Sequence, residues 1–415
     1  MVLFLIGQTV SLFGSMVVQF VVMWWVTLET GSGSAVALYA VAAFLPQGLI
    51  SLFGGVLADR MNRRVLVMTS DGVIAAATMT LAVLMSTGVD ELWILLLAVA
   101  VRSAGAGFQT PAVQAMIPQL VPAEQLMRVN GVFQTIQSAM ALLAPAAAGA
   151  LFAAFGIVPV FFLDVITAVI GIGLLALVAV PTLERAPGQA AATYRQDLVE
   201  GAQYIRSQPT VRWLLVLYAA IFLLTVAPSF VTPLMLMRSF GSQEWKLAAL
   251  EIVFSLGMLL GGILISTGLA ERARMRLILV AVNGFGIATV GLGLSPTVWV
   301  FFGFMFALGL LVPPFSTSFM TLLQETVEPT MHGRVFGYVS IVMAMATPIG
   351  MAVFGPLADL VSIRAMLVGT GLTMIVVLSI ATRTPSGRAA FVATSVVPQR
   401  PSDTGHAKAV KALTT

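Results

Sequence analysis

Gly54-Gly-Val-Leu-Ala-Asp59-Arg60-Met-Asn-Arg63-Arg64 decides the fold, because part of it occurs twice. Leu57-Ala-Asp59-Arg60 returns as Leu269-Ala-Glu271-Arg272, an offset of 212 residues, and Arg64 maps onto Arg276 by the same shift. A second pair, Arg128-Val-Asn-Gly131 and Arg334-Val-Phe-Gly337, repeats at an offset of 206. Two matches at about half of a 415-residue chain indicate a duplication, and what surrounds them is apolar. Hydrophobic residues make up 59% of the chain and charged residues 9%, against roughly 25% charged in an ordinary soluble domain. Too few charges are available to cover a water-exposed surface.

Uncharged apolar runs long enough to cross a bilayer lie at 3–28, 34–57, 65–87, 92–112, 129–153 and 159–180, and again at 212–236, 247–269, 276–294, 297–319, 335–358 and 363–382. The expected fold is therefore all-α and integral to the membrane. Twelve transmembrane helices form two six-helix bundles, related by a pseudo-two-fold axis along the membrane normal, with a substrate site near the midplane between them. Residues 1–180 form the first bundle and 212–382 the second. The linker 181–211 contains an amphipathic helical stretch, Tyr194 to Arg206, and the tail 383–415, rich in Pro, Ser, Thr and Ala, is expected to be disordered.

Charge sets the orientation. With both ends in the cytoplasm, seventeen of the 21 Lys and Arg residues fall in cytoplasmic loops or the tail; Arg238, Lys246 and Arg364 fall outside and Arg102 within a span. That is the positive-inside pattern. The first charge is Glu29 and the first base Arg60, so a cleaved signal peptide is not expected. With no polar lead before Val2, a short cytoplasmic N-terminal segment ahead of this sequence is an expectation. The net charge of +4 is dispersed over loops rather than gathered on one face, which argues against nucleic acid. The sequence holds no cysteine, which excludes disulfides and thiol chemistry.

Glycines at Gly54 and Gly55 permit close helix approach. Asp59, followed by Arg60, Arg63 and Arg64, can pair across a cytoplasmic helix end and latch an inner gate together with Glu271 and Arg272. The segment Gly55-Val-Leu-Ala-Asp59-Arg60-Met-Asn62-Arg63-Arg64 resembles the Gly-x-x-x-Asp-Arg-x-Gly-Arg-Arg loop of the major facilitator superfamily. Asn62 replaces the inner glycine, and its tolerance of left-handed backbone is expected to preserve the turn. Arg102-Ser-Ala-Gly105-Ala-Gly107 is similar to the fourth-helix motif, and Ala144-Pro145-Ala-Ala-Ala-Gly149 to an eroded form of the fifth-helix motif of exporters. Arg102 to Pro111, Leu120 to Leu126 and Gly333-Arg-Val-Phe336 look like the macrolide-efflux subgroup of drug:proton antiporters. The resemblance implies multidrug or macrolide efflux by proton antiport with alternating access, a role in antibiotic resistance, and a location in the bacterial cytoplasmic (inner) membrane. It implies a monomer that needs no cofactor beyond the proton as coupling ion.

Ionisable groups within a span cost roughly 2.5–3.5 kcal/mol each on insertion scales and are usually paired or functional. Four stand out: Asp71, Arg102, Asp164 and Glu251. Coupling requires a carboxyl that desolvation poises to load and release a proton near neutral pH. Glu251 or Asp164 is expected to do this, with Arg102 favouring the deprotonated state; resemblance favours Glu251, because the eighth span lies between the halves. A structural pair is an equal reading for Asp164 and Asp71. Polar stripes mark a cavity: Gln8, Ser15 and Gln19 in the first span, and Tyr218, Phe222, Thr225, Ser229 and Thr232 in the seventh, each on one helical face. Gln109 of the fourth span and Phe302, Met305, Pro313 and Ser316 of the tenth add to the predicted lining.

Other functions fit less well. The only histidines, His332 and His406, lie in a loop and the tail, and no catalytic or metal-binding spacing is present. Neither a filter repeat nor a charge ring of a channel appears. A symporter for a polar nutrient would call for more charged groups in the cavity than Arg102 alone. An exporter or flippase of siderophores or lysolipids remains an alternative, since it too needs a large apolar cavity.

Overall fold

The protein is represented by a computed structural model in which residues 1–122, 125–178, 194–241, 243–265, 274–385 and 387–388 are described. Side chains 52–60 and a few others within helices lie outside that description. The fold is all-helical. The N-terminal bundle holds α1 (Val2–Thr30), α2 (Gly33–Arg60), α3 (Arg63–Ser86), α4 (Leu92–Leu120), α5 (Leu126–Phe155) and α6 (Ile157–Ala176). A connecting helix α7 (Tyr194–Ser207) leads to α8 (Pro209–Phe230), α9 (Thr232–Phe240), α10 (Glu244–Leu264), α11 (Arg274–Leu294), α12 (Val298–Thr326), α13 (His332–Leu360) and α14 (Ile363–Arg383). Among the described residues, twelve segments are long and apolar enough to span a membrane, α8 and α9 together forming the seventh.

Packing repeats with the sequence. In the first half α1 packs on α5 and α6, α2 on α4, and α3 on α4 and α6; in the second, α8 packs on α13 and α14, α10 on α12, and α11 on α12 and α14. Each contact has its counterpart when the halves are exchanged. Across the interface α2 meets α13 and α5 meets α10, and the exchange converts one contact into the other. This is a two-fold relation between two six-helix bundles. Trp93 and Trp299, 206 residues apart near the starts of α4 and α12, are both exposed, as aromatic residues of a membrane-interface belt are.

Several boundaries differ from the hydropathy reading. Proline punctuates soluble helices, yet α4 runs through Pro111 to Leu120, and α12 through Pro313 and Pro314 to Thr326. In bundled spans, neighbouring helices and local backbone adjustment make up for the lost hydrogen bond. The seventh span, expected as one helix, breaks at Val231, between Pro228 near the end of α8 and Pro233 in the first turn of α9. Asn62 corrects a second expectation. Its backbone is extended, not left-handed, and its side chain accepts from the backbone N–H groups of Arg64 and Val65 at 3.0 and 3.4 Å. Asn takes the glycine's place by capping α3.

Small residues seat the halves against each other. A methyl at Gly355 of α13 would collide with Ala37 of α2, and one at Gly149 of α5 with Ala248 of α10. The helices touch there backbone to backbone.

Candidate functional site: two unlike cavities

The first cavity, about 190 Å³, lies in the N-terminal half between α1, α2, α3 and α4, and among its lining residues are Ser15, Gln19, Tyr39, Gln47, Arg102 and Gln109. Arg102 donates to Asp164 of α6 and to Thr78 of α3. Thr78 lies 3.0 Å from the same carboxylate oxygen, and Ser15 donates to the other at 3.2 Å. Asp164 is fully buried. Its charge is answered by a guanidinium and its oxygens by two hydroxyls, the condition under which a buried ion pair is tolerated. The reading of Asp164 as a structural pair therefore has a geometric basis. Gly14 of α1 brings its helix against Asp164 and Thr167, and a methyl there would overlap both side chains.

Asp71 stands two turns before Thr78 on the same face of α3. One of its oxygens accepts from Gln109 of α4 and from Ser11 of α1, the latter at 3.4 Å, while the other has no partner. The amide nitrogen of Gln8 is likewise buried without a partner. Gln8, Ser11, Gln109, Gln114 and Gln137 surround a smaller polar pocket of about 90 Å³. Three helices thus pool amides and hydroxyls around a carboxyl that has no cation beside it among the described residues.

The second cavity, about 370 Å³, belongs to the C-terminal half. Tyr218, Phe222, Thr225 and Ser229 of α8, Glu251 and Phe254 of α10, Phe285 of α11, Met305, Phe315 and Ser316 of α12, and Met343 and Thr347 of α13 line it. The Tyr218 ring stacks on Phe319 at 4.2 Å and on Phe222 at 5.5 Å, and lies parallel to Phe315 at 6.0 Å. Glu251 enters this wall half-buried, with no hydrogen bond or ion pair to any described residue. Lys246, five positions earlier on α10, donates to the Phe240 carbonyl and is not its counter-ion.

Most predicted lining residues meet in one of these spaces. Gln8, Ser15, Gln19 and Gln109 face the N-terminal cavities; Tyr218, Phe222, Thr225, Ser229, Met305 and Ser316 face the C-terminal one. The predicted lining residues of the first and fourth spans thus face cavities in the N-terminal half, and those of the seventh and tenth face the cavity in the C-terminal half. Phe302 is a correction: one turn before Met305, it is not among the residues lining the cavity but is buried with its ring edge-on to Trp299 at 6.0 Å. Thr232 is another, buried with its hydroxyl on the Pro228 carbonyl beside the helix break. Thr225 and Ser229 line the cavity but give their hydroxyl protons to carbonyls of their own helix, at 2.7 and 2.8 Å. Ser11, Thr78 and the rings of Phe315 and Phe319 were not predicted. The seven-residue spacing of Asp71 and Thr78, and the i, i+4 spacing of the two Phe residues, were the signals available.

The gate residues divide. Arg63 donates to the Ala115 carbonyl of α4 at 2.8 Å, and Arg64 to the Ala176 carbonyl at the end of α6. These two contacts lie within the N-terminal half, and that of Arg64 is a basic group on a helix C-terminal carbonyl. The surroundings of Gly55, the side chains of Asp59 and Arg60, and residues Glu271 and Arg272 lie outside the description. Pro145 is buried within a continuous α5, and Gly149 meets α10 across the halves. At the α1–α2 end, Asp359 of α13 accepts from the Gly33 and Ser34 N–H groups at 2.7 and 2.8 Å and from the Ser32 hydroxyl at 3.0 Å. Arg238 of α9 donates to Asp359 and to the carbonyls of Gly31 and Ala358. This clasp joins the two halves at the first turn of α2, where a carboxylate is favoured.

A two-fold pair of six-helix bundles, a cavity in each and a glycine-lined interface between them form the frame of a carrier, and known proteins share it. The sequence pattern of the Major Facilitator Superfamily matches residues 4–351. The chain belongs to that superfamily. It is 30% identical over 379 residues to Macrolide efflux protein A of Streptococcus pyogenes, covering 90% of this chain and 93% of that one. It is 25% identical to Multidrug efflux pump Tap of Mycolicibacterium fortuitum, over 85% of this chain and 87% of that one. In fold it is similar to the crystal structure of a bacterial homologue of the iron transporter ferroportin in an inward-facing state, with a TM-score of 0.68 at 18% identity, covering 92% of this chain and 98% of the other. This facilitator is thus a multi-pass membrane transporter of small molecules rather than an enzyme.

Proposed function

We propose that this facilitator is a drug efflux transporter that expels amphipathic, macrolide-like molecules from a bacterial cell by proton antiport and alternating access. One observation carries the reading: Glu251 is a carboxyl without a counter-ion on the wall of an apolar, drug-sized cavity. A group so placed gains from being neutral when the cavity is dry and from being charged when water or a cation reaches it, which is what a proton-exchanging site requires. Asp164 is less suited, because Arg102 holds it as an ion pair. The names of the relatives support the cargo class. The Lys and Arg distribution supports a cytoplasmic linker and cytoplasmic termini in the inner membrane. In that orientation the Asp359 clasp closes the outer end and must open for release. Since one chain carries both halves of the two-fold, the working unit is a monomer.

A polar-nutrient importer is disfavoured because Arg102, the basic group within the N-terminal cavity, is already engaged by Asp164. Proteoliposomes under an imposed pH gradient test the proposal with labelled macrolide, siderophore and lysolipid. Gradient-driven macrolide accumulation is expected in the wild type and is lost in Glu251→Gln. Full coupling retained in both Glu251→Gln and Asp164→Asn would end the proton assignment, and preference for siderophore or lysolipid would replace the cargo.

A further inference from the structure

We propose that Asp71, with the hydroxyl and amides around it, forms a binding site for one monovalent metal cation of the sodium class in the N-terminal half, toward the end where α1 begins. The site is separate from the efflux reading and does not involve Glu251.

Two polar layers are built from the same three helices. Ser15 of α1, Thr78 of α3 and Arg102 of α4 form the first, around Asp164. Ser11, Asp71 and Gln109 form the second, four residues before Ser15, seven before Thr78 and seven after Arg102. These steps are one or two helical turns, so each helix keeps the same face inward. Each layer holds a carboxyl. The first also holds a guanidinium, whereas in the second Gln109 takes the place of Arg102 and offers Asp71 only a neutral amide. Asp71 is 2% exposed, one of its oxygens has no partner, and no ion pair joins it to a described residue. A buried carboxylate calls for a positive charge. A proton on the free oxygen would exchange an orphaned acceptor for an orphaned donor, while a metal cation satisfies the oxygen outright.

The adjoining pocket supplies further ligands. It measures about 90 Å³ and is lined by Ser11 and Gln109, which hold Asp71, and by Gln8, Gln114 and Gln137. Gln8 is 7% exposed and its amide nitrogen has no partner, so turning that amide over to present its oxygen forfeits no hydrogen bond from the nitrogen. One carboxylate with hydroxyl and amide oxygens is a hard ligand set of low charge. Among the described residues no group of three or more His, Asp or Glu could hold a metal ion, which favours a singly charged ion over a divalent one. Bound there, the ion ties α1, α3 and α4 together as Arg102 does in the first layer.

Equilibrium binding of radiolabelled sodium to the purified full-length chain in detergent tests this, with choline chloride holding the ionic strength and a melting curve taken at each sodium concentration. The wild type is expected to bind sodium saturably, its melting temperature rising in step with occupancy. Asp71→Asn is expected to weaken binding at least about tenfold and to flatten the melting response, while Glu251→Gln retains both. Gln109→Arg gives the second layer the cation of the first; it is expected to bind no sodium and to melt no lower than the sodium-free wild type. No saturable binding by the wild type, undiminished binding by Asp71→Asn, loss of binding in Glu251→Gln, or displacement of sodium by calcium at lower concentration would overturn the proposal. If Asp71→Asn cannot be purified, Gln109→Arg decides: absent binding supports the site and retained binding overturns it.

Discussion

Counted from the first residue of each helix, Arg102 of α4 answers to Leu308 of α12, and Asp164 of α6 to Thr370 of α14. The N-terminal half holds a buried ion pair where the C-terminal half holds a leucine on its cavity wall and a threonine bonded to the carbonyl of Met366. The carboxyl of the second half is elsewhere. By the 212-residue offset of the repeated loop, Glu251 of α10 answers to Tyr39 of α2, whose hydroxyl donates to the Gln19 carbonyl. The same helix pairs pack in both halves although the buried charges differ. In the N-terminal half Arg102 and Asp164 answer each other while Asp71 has only amide and hydroxyl partners. In the C-terminal half Glu251 has no partner among the described residues.

The comparison can be broken hardest at Arg102. Arg102→Ala leaves Asp164 buried without its cation, and breaking a buried pair in this way costs about 3–5 kcal/mol. A large drop in melting temperature is expected in detergent. Installing the second half's residues, Arg102→Leu with Asp164→Thr, should recover most of that loss, because uncharged replacements of buried pairs are often neutral or stabilising. A double variant as unstable as Arg102→Ala would show that the halves are not interchangeable in packing.

A smaller effect is expected where the halves meet. Gly355→Leu drives a side chain into Ala37 and the Gly33 carbonyl, an overpacking worth about 1–3 kcal/mol, and forces the clasped end apart. Spin labels on α2 and α13 at that end should report a longer distance; an unchanged distance would mean that the helices slide rather than separate. Smallest on stability is Glu251→Gln. With no partner to lose, its melting temperature should match or exceed the wild type, in contrast to Arg102→Ala, and a clear loss would reveal a partner for Glu251.

The spans and the duplication were legible because hydropathy and repeated loop motifs are local. The polar stripe of α8 was legible too, since a 3.6-residue period places Tyr218, Phe222, Thr225 and Ser229 on one face. The partners of that face were not. Asp164 and Arg102 are 62 residues apart in sequence, and periodicity shows that each faces inward without showing that they face each other. Phe302 was misread for a related reason: an apolar residue on the inward face of a cavity helix looks the same in sequence whether it lies level with the cavity, as Met305 does, or one turn away where the core is packed. Asn62 was read by its backbone tolerance when its capping oxygen was what mattered. Pro228 and Pro233 marked the break at Val231, but α4 and α12 run straight through their prolines, so proline alone could not locate it.

The central claim is that Glu251 is the charge left open for exchange. Proton release on adding macrolide to the purified protein in weakly buffered detergent, from acid to neutral pH, tests it most directly. The expected result is release that saturates with macrolide binding in the wild type and in Asp164→Asn and is absent in Glu251→Gln. Release that persists in Glu251→Gln, or macrolide binding with no proton released anywhere in that range, would contradict it.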